Sequence, residues 1–188
     1  MKRADIRWVF LVVTWSIVLA VVFTLLSSAA LEEAGYVLAF GVLLILVVVG
    51  IFFDMVGVAV TVADETPFHS MAARRGPGGK EAIRLIKSAD RVANFCNDVV
   101  GDITGIISGT TMAAIAFRLT QDFSVSNLLV NLIITSLVVG ITIGGKAWGK
   151  MVAIRSSYRI VLFAAFFIYR TNWLWAKITG KLRRWTGS

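Results

Sequence analysis

Four long stretches of this chain carry no charge, and their lengths constrain the fold more than any other feature. Trp8 to Leu31 is a run of 24 uncharged residues, Ala34 to Phe53 one of 20, Ile103 to Phe117 one of 15 and Phe123 to Gly145 one of 23. A helix rises 1.5 Å per residue, so roughly 20 mostly apolar residues cover the ~30 Å hydrocarbon core of a bilayer. Three runs meet that length directly. The third meets it when its helix extends back through Asp102 and Asp98 to about Ala93. The chain is 57% hydrophobic with a mean hydropathy of +0.81, against roughly 45–50% apolar residues in soluble domains. The sequence therefore predicts an all-α integral membrane protein with four transmembrane helices. A secretory signal would have an apolar segment of about 7–15 residues. The first run is longer, so it reads as a retained helix.

Charge gives an orientation. Lys and Arg concentrate in loops that stay cytoplasmic. Lys2, Arg3 and Arg7 precede the first helix, and only Glu32 and Glu33 follow it. Arg74, Arg75, Lys80, Arg84, Lys87 and Arg91 lie between the second and third helices, and Arg118 and Asp122 follow the third. From Lys146 onward there are nine basic residues and no acidic one. This alternation predicts a multi-pass protein of the cell membrane with both termini in the cytoplasm.

The expected organisation has three parts. Residues 1–34 form an extra N-terminal transmembrane helix. Residues 35–153 form the main membrane domain, interrupted by a cytoplasmic, juxtamembrane helical hairpin at 66–90. Residues 154–188 form a basic amphipathic helix. Within the hairpin, Thr66–Pro67 suits a helix start with Thr66 as N-cap. Gly76-Pro77-Gly78-Gly79 breaks that helix, and Lys80 to Lys87 forms a second with Ile83 and Ile86 on one face. A solvated basic connector beside an anionic leaflet would account for the same charges. Beyond residue 154, Arg155, Arg159, Arg170, Lys177, Lys181 and Arg184 fall on one side of a helix at 100° per residue, among Phe and Trp residues. The uncharged segment there is too short to span, so this helix is expected to lie in the interface of an anionic leaflet. The basic pI of about 10.2 has the same membrane-surface origin, and nucleic acid is not the expected partner.

Several motifs resemble the transmembrane domain of the cyclin M (CNNM)/CorC family of magnesium transporters. Phe52-Phe53 is followed by DMVGVAV, the hairpin reads SMAARRGPGGKEAIRLIKSADRVA, the third helix carries FCNDVVGD and the fourth GGKAWGKMVA. The likeness covers about residues 37–155. It implies a homodimer, a role in divalent-cation transport or its regulation, and Mg2+ as the ion. The paired nucleotide-binding domains usual in that family do not follow in this chain. Two family serines correspond to Asp54 and Val56, and the acidic residue after them to Gly57. Asn97 is kept, but the Gly before it is Cys96 and a later Asn is Gly101. Gly145 and Lys150 are kept, while a Glu becomes Lys146 and a Pro becomes Gly149. The resemblance thus implies a metal site around Asp54, Asn97, Asp98 and Asp102, with Gly101, Gly145 and Lys146 along the ion path. Val56 supplies no oxygen and Lys146 adds a positive charge, so a second reading is a non-transporting scaffold or accessory subunit with a protein partner.

The residues alone leave three roles open for the aspartates: cation ligands, partners of Lys146 in a structural salt bridge, or solvated groups at headgroup level. Asp98 and Asp102 are four apart, on one helix face. Gly101, Gly105 and Gly109, then Gly140 with Gly144 and Gly145 with Gly149, repeat at the spacing that lets helix backbones approach. They serve either packing within the chain or self-association. Single Cys96 and single His69 exclude an internal disulfide and a histidine metal cluster. No nucleophile–base pair or phosphate-binding loop is present, so no enzymatic activity is expected and the residues themselves demand no cofactor.

Overall fold

The computed structural model describes residues 3–33, 36–123 and 127–178. It is all α. Helix α1 covers Arg3–Glu33, α2 Tyr36–Val62, α3 Thr66–Ala73, α4 Gly79–Lys87 and α5 Ala89–Asn94. One π-helical stretch, Phe95–Val100, joins α5 to α6 at Gly101–Phe123; α7 is Asn127–Arg155 and α8 Ser157–Ile178. Among the described residues, three helical stretches have the length and composition to cross a membrane: Tyr36–Val62, Ala89–Asp122 and Leu132–Arg155. The third uncharged run is indeed extended backwards, through Asp102 and Asp98, into one helix of 34 residues. In the first helix, the described apolar part, Phe10–Leu25, is shorter than a full span.

Helix α2 is central and packs chiefly on α6 and α7. Its glycines let neighbours approach closely. A methyl group at Gly50 would lie 2.6 Å from Thr104 Oγ1, and one at Gly57 would lie 2.2 Å from Asn97 Oδ1. These contacts make α6 antiparallel to α2. On the other side Gly145 faces Ile51 and Gly149 faces Met55, so α7 runs parallel to α2. Tyr36 at the start of α2 donates a hydrogen bond to Asp122 near the end of α6. Hydroxyls within α6 are satisfied by its own backbone: Thr104 donates to the Val100 carbonyl and Thr111 to that of Ile107, both at 2.8 Å. That is how polar side chains avoid an unsatisfied donor in an apolar setting. Helix α1 packs Val12, Leu19, Ala20 and Phe23 against a core of Leu46, Val99, Ile103 and Ile107.

The hairpin is a packed element rather than a loose connector. Phe68 of α3 is fully buried and stacks on Tyr158 of α8, with ring centroids 5.0 Å apart. The same core takes in Ala82 of α4, Ala59 and Val60 of α2, Ala153 of α7, and Val161 and Ala165 of α8. The glycine break makes this docking feasible. Gly78 has φ of +84°, a region open mainly to glycine. A side chain there would also press on the α8 backbone, 3.3 Å from the Phe166 nitrogen. A methyl at Gly79 would lie 2.8 Å from the Ala72 backbone nitrogen, where α3 and α4 cross.

One local expectation is corrected. Thr66 is not the cap of α3; it is the first helical residue. Glu65 is the N-cap and makes no side-chain capping bond; Asp64, just before it, accepts at Oδ1 from the Thr66 backbone nitrogen at 3.0 Å and from the Thr66 hydroxyl at 2.8 Å. These two donors hold the Asp64 carboxyl below its ordinary pKa. Helix α8 also does more than display a basic stripe. Arg155 ends α7 and is exposed, as are Arg159 and Arg170 on α8, but Val161 and Ala165 on α8 are fully buried against the hairpin core. The side chain of Lys177, and Lys181 and Arg184 altogether, lie outside the described residues.

Candidate functional site

The polar centre of the bundle sits where α2 meets the π-helical stretch and the last turns of α7. Asp54 is only 4% exposed. A lone buried carboxylate is costly, and Asp54 has a partner: its Oδ2 lies 3.5 Å from the ammonium of Lys150. Lys150 is half exposed, so the pair has one foot in an open environment. One of the three readings left open by the sequence paired Lys146 with an aspartate; the geometry of α7 gives Asp54 to Lys150 instead. Because Gly149 sits against Met55, residue 150 arrives at the level of Asp54. Lys146 lies one turn earlier and reaches across to α6 instead, with its ammonium 3.6 Å from where a methyl at Gly101 would be.

Three residues beyond Asp54, Gly57 occupies the same face of α2. Asn97 packs its amide directly against it. The Asn97 side-chain oxygen is buried and makes no hydrogen bond, and neither does Asp54 Oδ2 beyond its contact with Lys150. Buried polar atoms are nearly always satisfied, so the unbonded Asn97 oxygen, beside a carboxylate oxygen held only by the Lys150 ion pair, calls for an explanation. Asn97 also lies in the π-helical stretch, a distortion that recurs at functional positions in α-helices.

The other expected ligands are not gathered here. Asp98 and Asp102 are exposed, unlike Asp54. Among the described residues, no group of three or more His, Cys, Asp or Glu is placed to share a metal ion. Of the four candidate ligands, only Asp54 and Asn97 meet on the α2 seam. Gly145 packs on Ile51 beside this centre.

Of the glycines singled out by spacing, Gly101, Gly145 and Gly149 meet other parts of the chain. Gly105, Gly109, Gly140 and Gly144 have nothing within 4 Å of an added methyl. Sequence reasoning missed Gly57 as the seat of Asn97 and Lys150 as the partner of Asp54. The signal for Lys150 was present in the i, i+4 spacing of Lys146 and Lys150, which puts both on one face of α7. No protein-family model, curated protein or solved structure matches this chain.

Proposed function

We propose that this helical membrane protein acts in divalent-cation transport or its regulation, with Asp54 and Asn97 as the protein's ligands to the ion. One observation carries the reading: two buried side-chain oxygens, Asp54 Oδ2 and Asn97 Oδ1, lack hydrogen bonds at neighbouring positions of the α2 seam. A hard cation with its remaining waters is the chemistry that two such acceptors suit. The motif resemblance to the CNNM/CorC transmembrane domain agrees, and implies magnesium. In this reading the hairpin, Lys150 and α8 face the cytoplasm, where basic segments belong, and Lys150 holds Asp54 until a cation displaces it.

A second reading rests on the same ion pair. If the Asp54–Lys150 contact is permanent, the protein is a non-transporting scaffold that keeps the fold and recruits a partner. Thermal unfolding of the detergent-purified chain against rising Mg2+, with Mn2+ and Ca2+ alongside, separates the two. A ligand of the folded state raises the melting temperature with its concentration over its Kd. The transport reading predicts a saturable, selective rise that is lost in Asp54→Asn. A flat response in folded wild-type protein supports the scaffold.

A further inference from the structure

The Asp54–Lys150 ion pair is lopsided. Across an N–O distance of 3.5 Å, the Asp54 side chain is 6% exposed and that of Lys150 is 51% exposed. The backbones at this level are pinned. A methyl at Gly149, next to Lys150, would lie 2.8 Å from the Met55 side chain, and Gly145 one turn earlier faces Ile51. The part of the pair free to move is therefore the four-carbon stem of Lys150. Lys150 lies near the end of the Leu132–Arg155 span. Its ammonium can swing out toward the headgroup layer while its stem stays on apolar surface. Asp54, buried on α2, has no such exit.

Charge decides what else can occupy Asp54. A cation added beside the intact pair would meet an ammonium at close range, in a buried setting where like charges repel strongly. Cation and ammonium therefore exclude one another, and binding is an exchange. Exchange for a monovalent ion leaves the local charge as it was. Exchange for a divalent ion puts one more positive charge before the carboxylate and the unbonded Asn97 oxygen. A tethered ammonium also acts at a fixed effective concentration that ions in solution must outcompete. We infer that Lys150 is a built-in competing cation, which sets the affinity of the Asp54–Asn97 site and reserves it for divalent ions. The inference rests on the reading of those two residues as cation ligands and adds the source of its charge selectivity. It carries a signature of opposite signs. The ion pair exists only in the cation-free protein, so removing Lys150 lowers stability but raises affinity. A purely structural pair would lower both.

Mn2+ titration of the full-length, detergent-purified protein by electron paramagnetic resonance tests this, in NaCl and in N-methylglucamine chloride of equal ionic strength. Without Na+, Lys150→Met should bind Mn2+ about tenfold more tightly than wild type. Na+ should weaken binding by that variant at least threefold and leave wild type unchanged. Lys150→Arg keeps the charge and should restore both wild-type behaviours. Lys146→Met removes an equal charge one turn earlier and should shift the affinity less than threefold. A Lys150→Met site no tighter than wild type, or no more sensitive to Na+, overturns the inference and leaves the cation reading standing. So does a Lys146→Met effect as large as that of Lys150→Met, which would mean a diffuse field rather than an exchange. No Mn2+ binding by wild type or any variant overturns both. Should Lys150→Met not fold, reductive methylation of wild type, read by peptide mass spectrometry, decides. Saturating Mn2+ should speed modification of Lys150 at least threefold, and an unchanged rate with Mn2+ bound overturns the inference.

Discussion

Helices α6 and α7 are both long enough to cross a bilayer, yet the chain treats them differently. In the Ala89–Asp122 span 61% of the apolar window is buried inside the protein, and in Leu132–Arg155 only 6%. The inner helix is held by specific side chains: Thr104 against Gly50, Asn97 against Gly57, and Met112 and Ile115 against Ala39 and Leu43. The outer helix meets α2 along Gly145 and Gly149 and packs Ile134 and Val138 on the Ala39–Leu43 core, and it shows Leu132, Leu137, Ile141 and Trp148 outward. In water such a face would be a liability. In lipid it needs only to be apolar. The inner helix is therefore constrained residue by residue, whereas most of the outer helix is constrained by composition.

The largest effect should come from the hairpin core. Phe68→Ala removes a fully buried ring and should cost about 3–5 kcal/mol, read as a lowered melting temperature together with faster proteolysis between α2 and α5. Leu137→Ala on the outer face of α7 should change stability by less than about 0.5 kcal/mol. Equal losses from the two would break the distinction between specified and merely apolar helices.

The glycines give the next contrast. Gly79→Ala forces a methyl onto the Ala72 backbone at 2.8 Å, and overpacking of this kind costs roughly 1–3 kcal/mol. Gly144→Ala meets nothing within 4 Å and should leave the single chain as stable or slightly more so, since alanine favours helix over glycine by about 0.5–1 kcal/mol. A Gly144→Ala variant that instead loses oligomeric mass by light scattering would sharpen the comparison, because the open stripe would then be a surface between two copies.

Lys150→Met tests the polar centre. It leaves Asp54 buried without its ion partner. Exposed pairs contribute about 0–1 kcal/mol and breaking a buried one costs about 3–5. With one partner half exposed, the expected loss is roughly 1–2 kcal/mol by thermal unfolding. Lys146→Met should cost less, because the Asp54 ion pair is made by Lys150. The smallest effect belongs to the Asp64–Thr66 bonds ahead of α3. The folded pKa of Asp64 is depressed, so its contribution is complete above its unfolded value of about 3.9 and is lost as pH falls through the lower, folded value. Asp64→Ala should therefore lower the melting temperature slightly at neutral pH, and the difference from wild type should shrink below about pH 4.

The elements of this fold were largely legible in the sequence; the contacts between them were less so. Hydropathy and length marked the spans, and Gly76-Pro77-Gly78-Gly79 marked the hairpin break, because those signals are local. The pairing of Asp54 with Lys150 depends on how far α7 slides along α2, and nothing inside either helix states that register. The same holds for Asn97 on Gly57. The docking of α8 was hidden behind its basic residues, although Val161 and Ala165, four apart on one face, were a readable sign that part of it is buried.

The central claim is that Asp54 and Asn97 act together on a divalent cation. Its most direct measurement is a Mn2+ titration of the purified protein by electron paramagnetic resonance, comparing wild type with Asp54→Asn and Gly57→Ala. Gly57→Ala removes no ligand and only displaces Asn97 from its seat. The account predicts saturable binding to wild type, weakened at least tenfold in both variants. Identical titrations for all three proteins would contradict it.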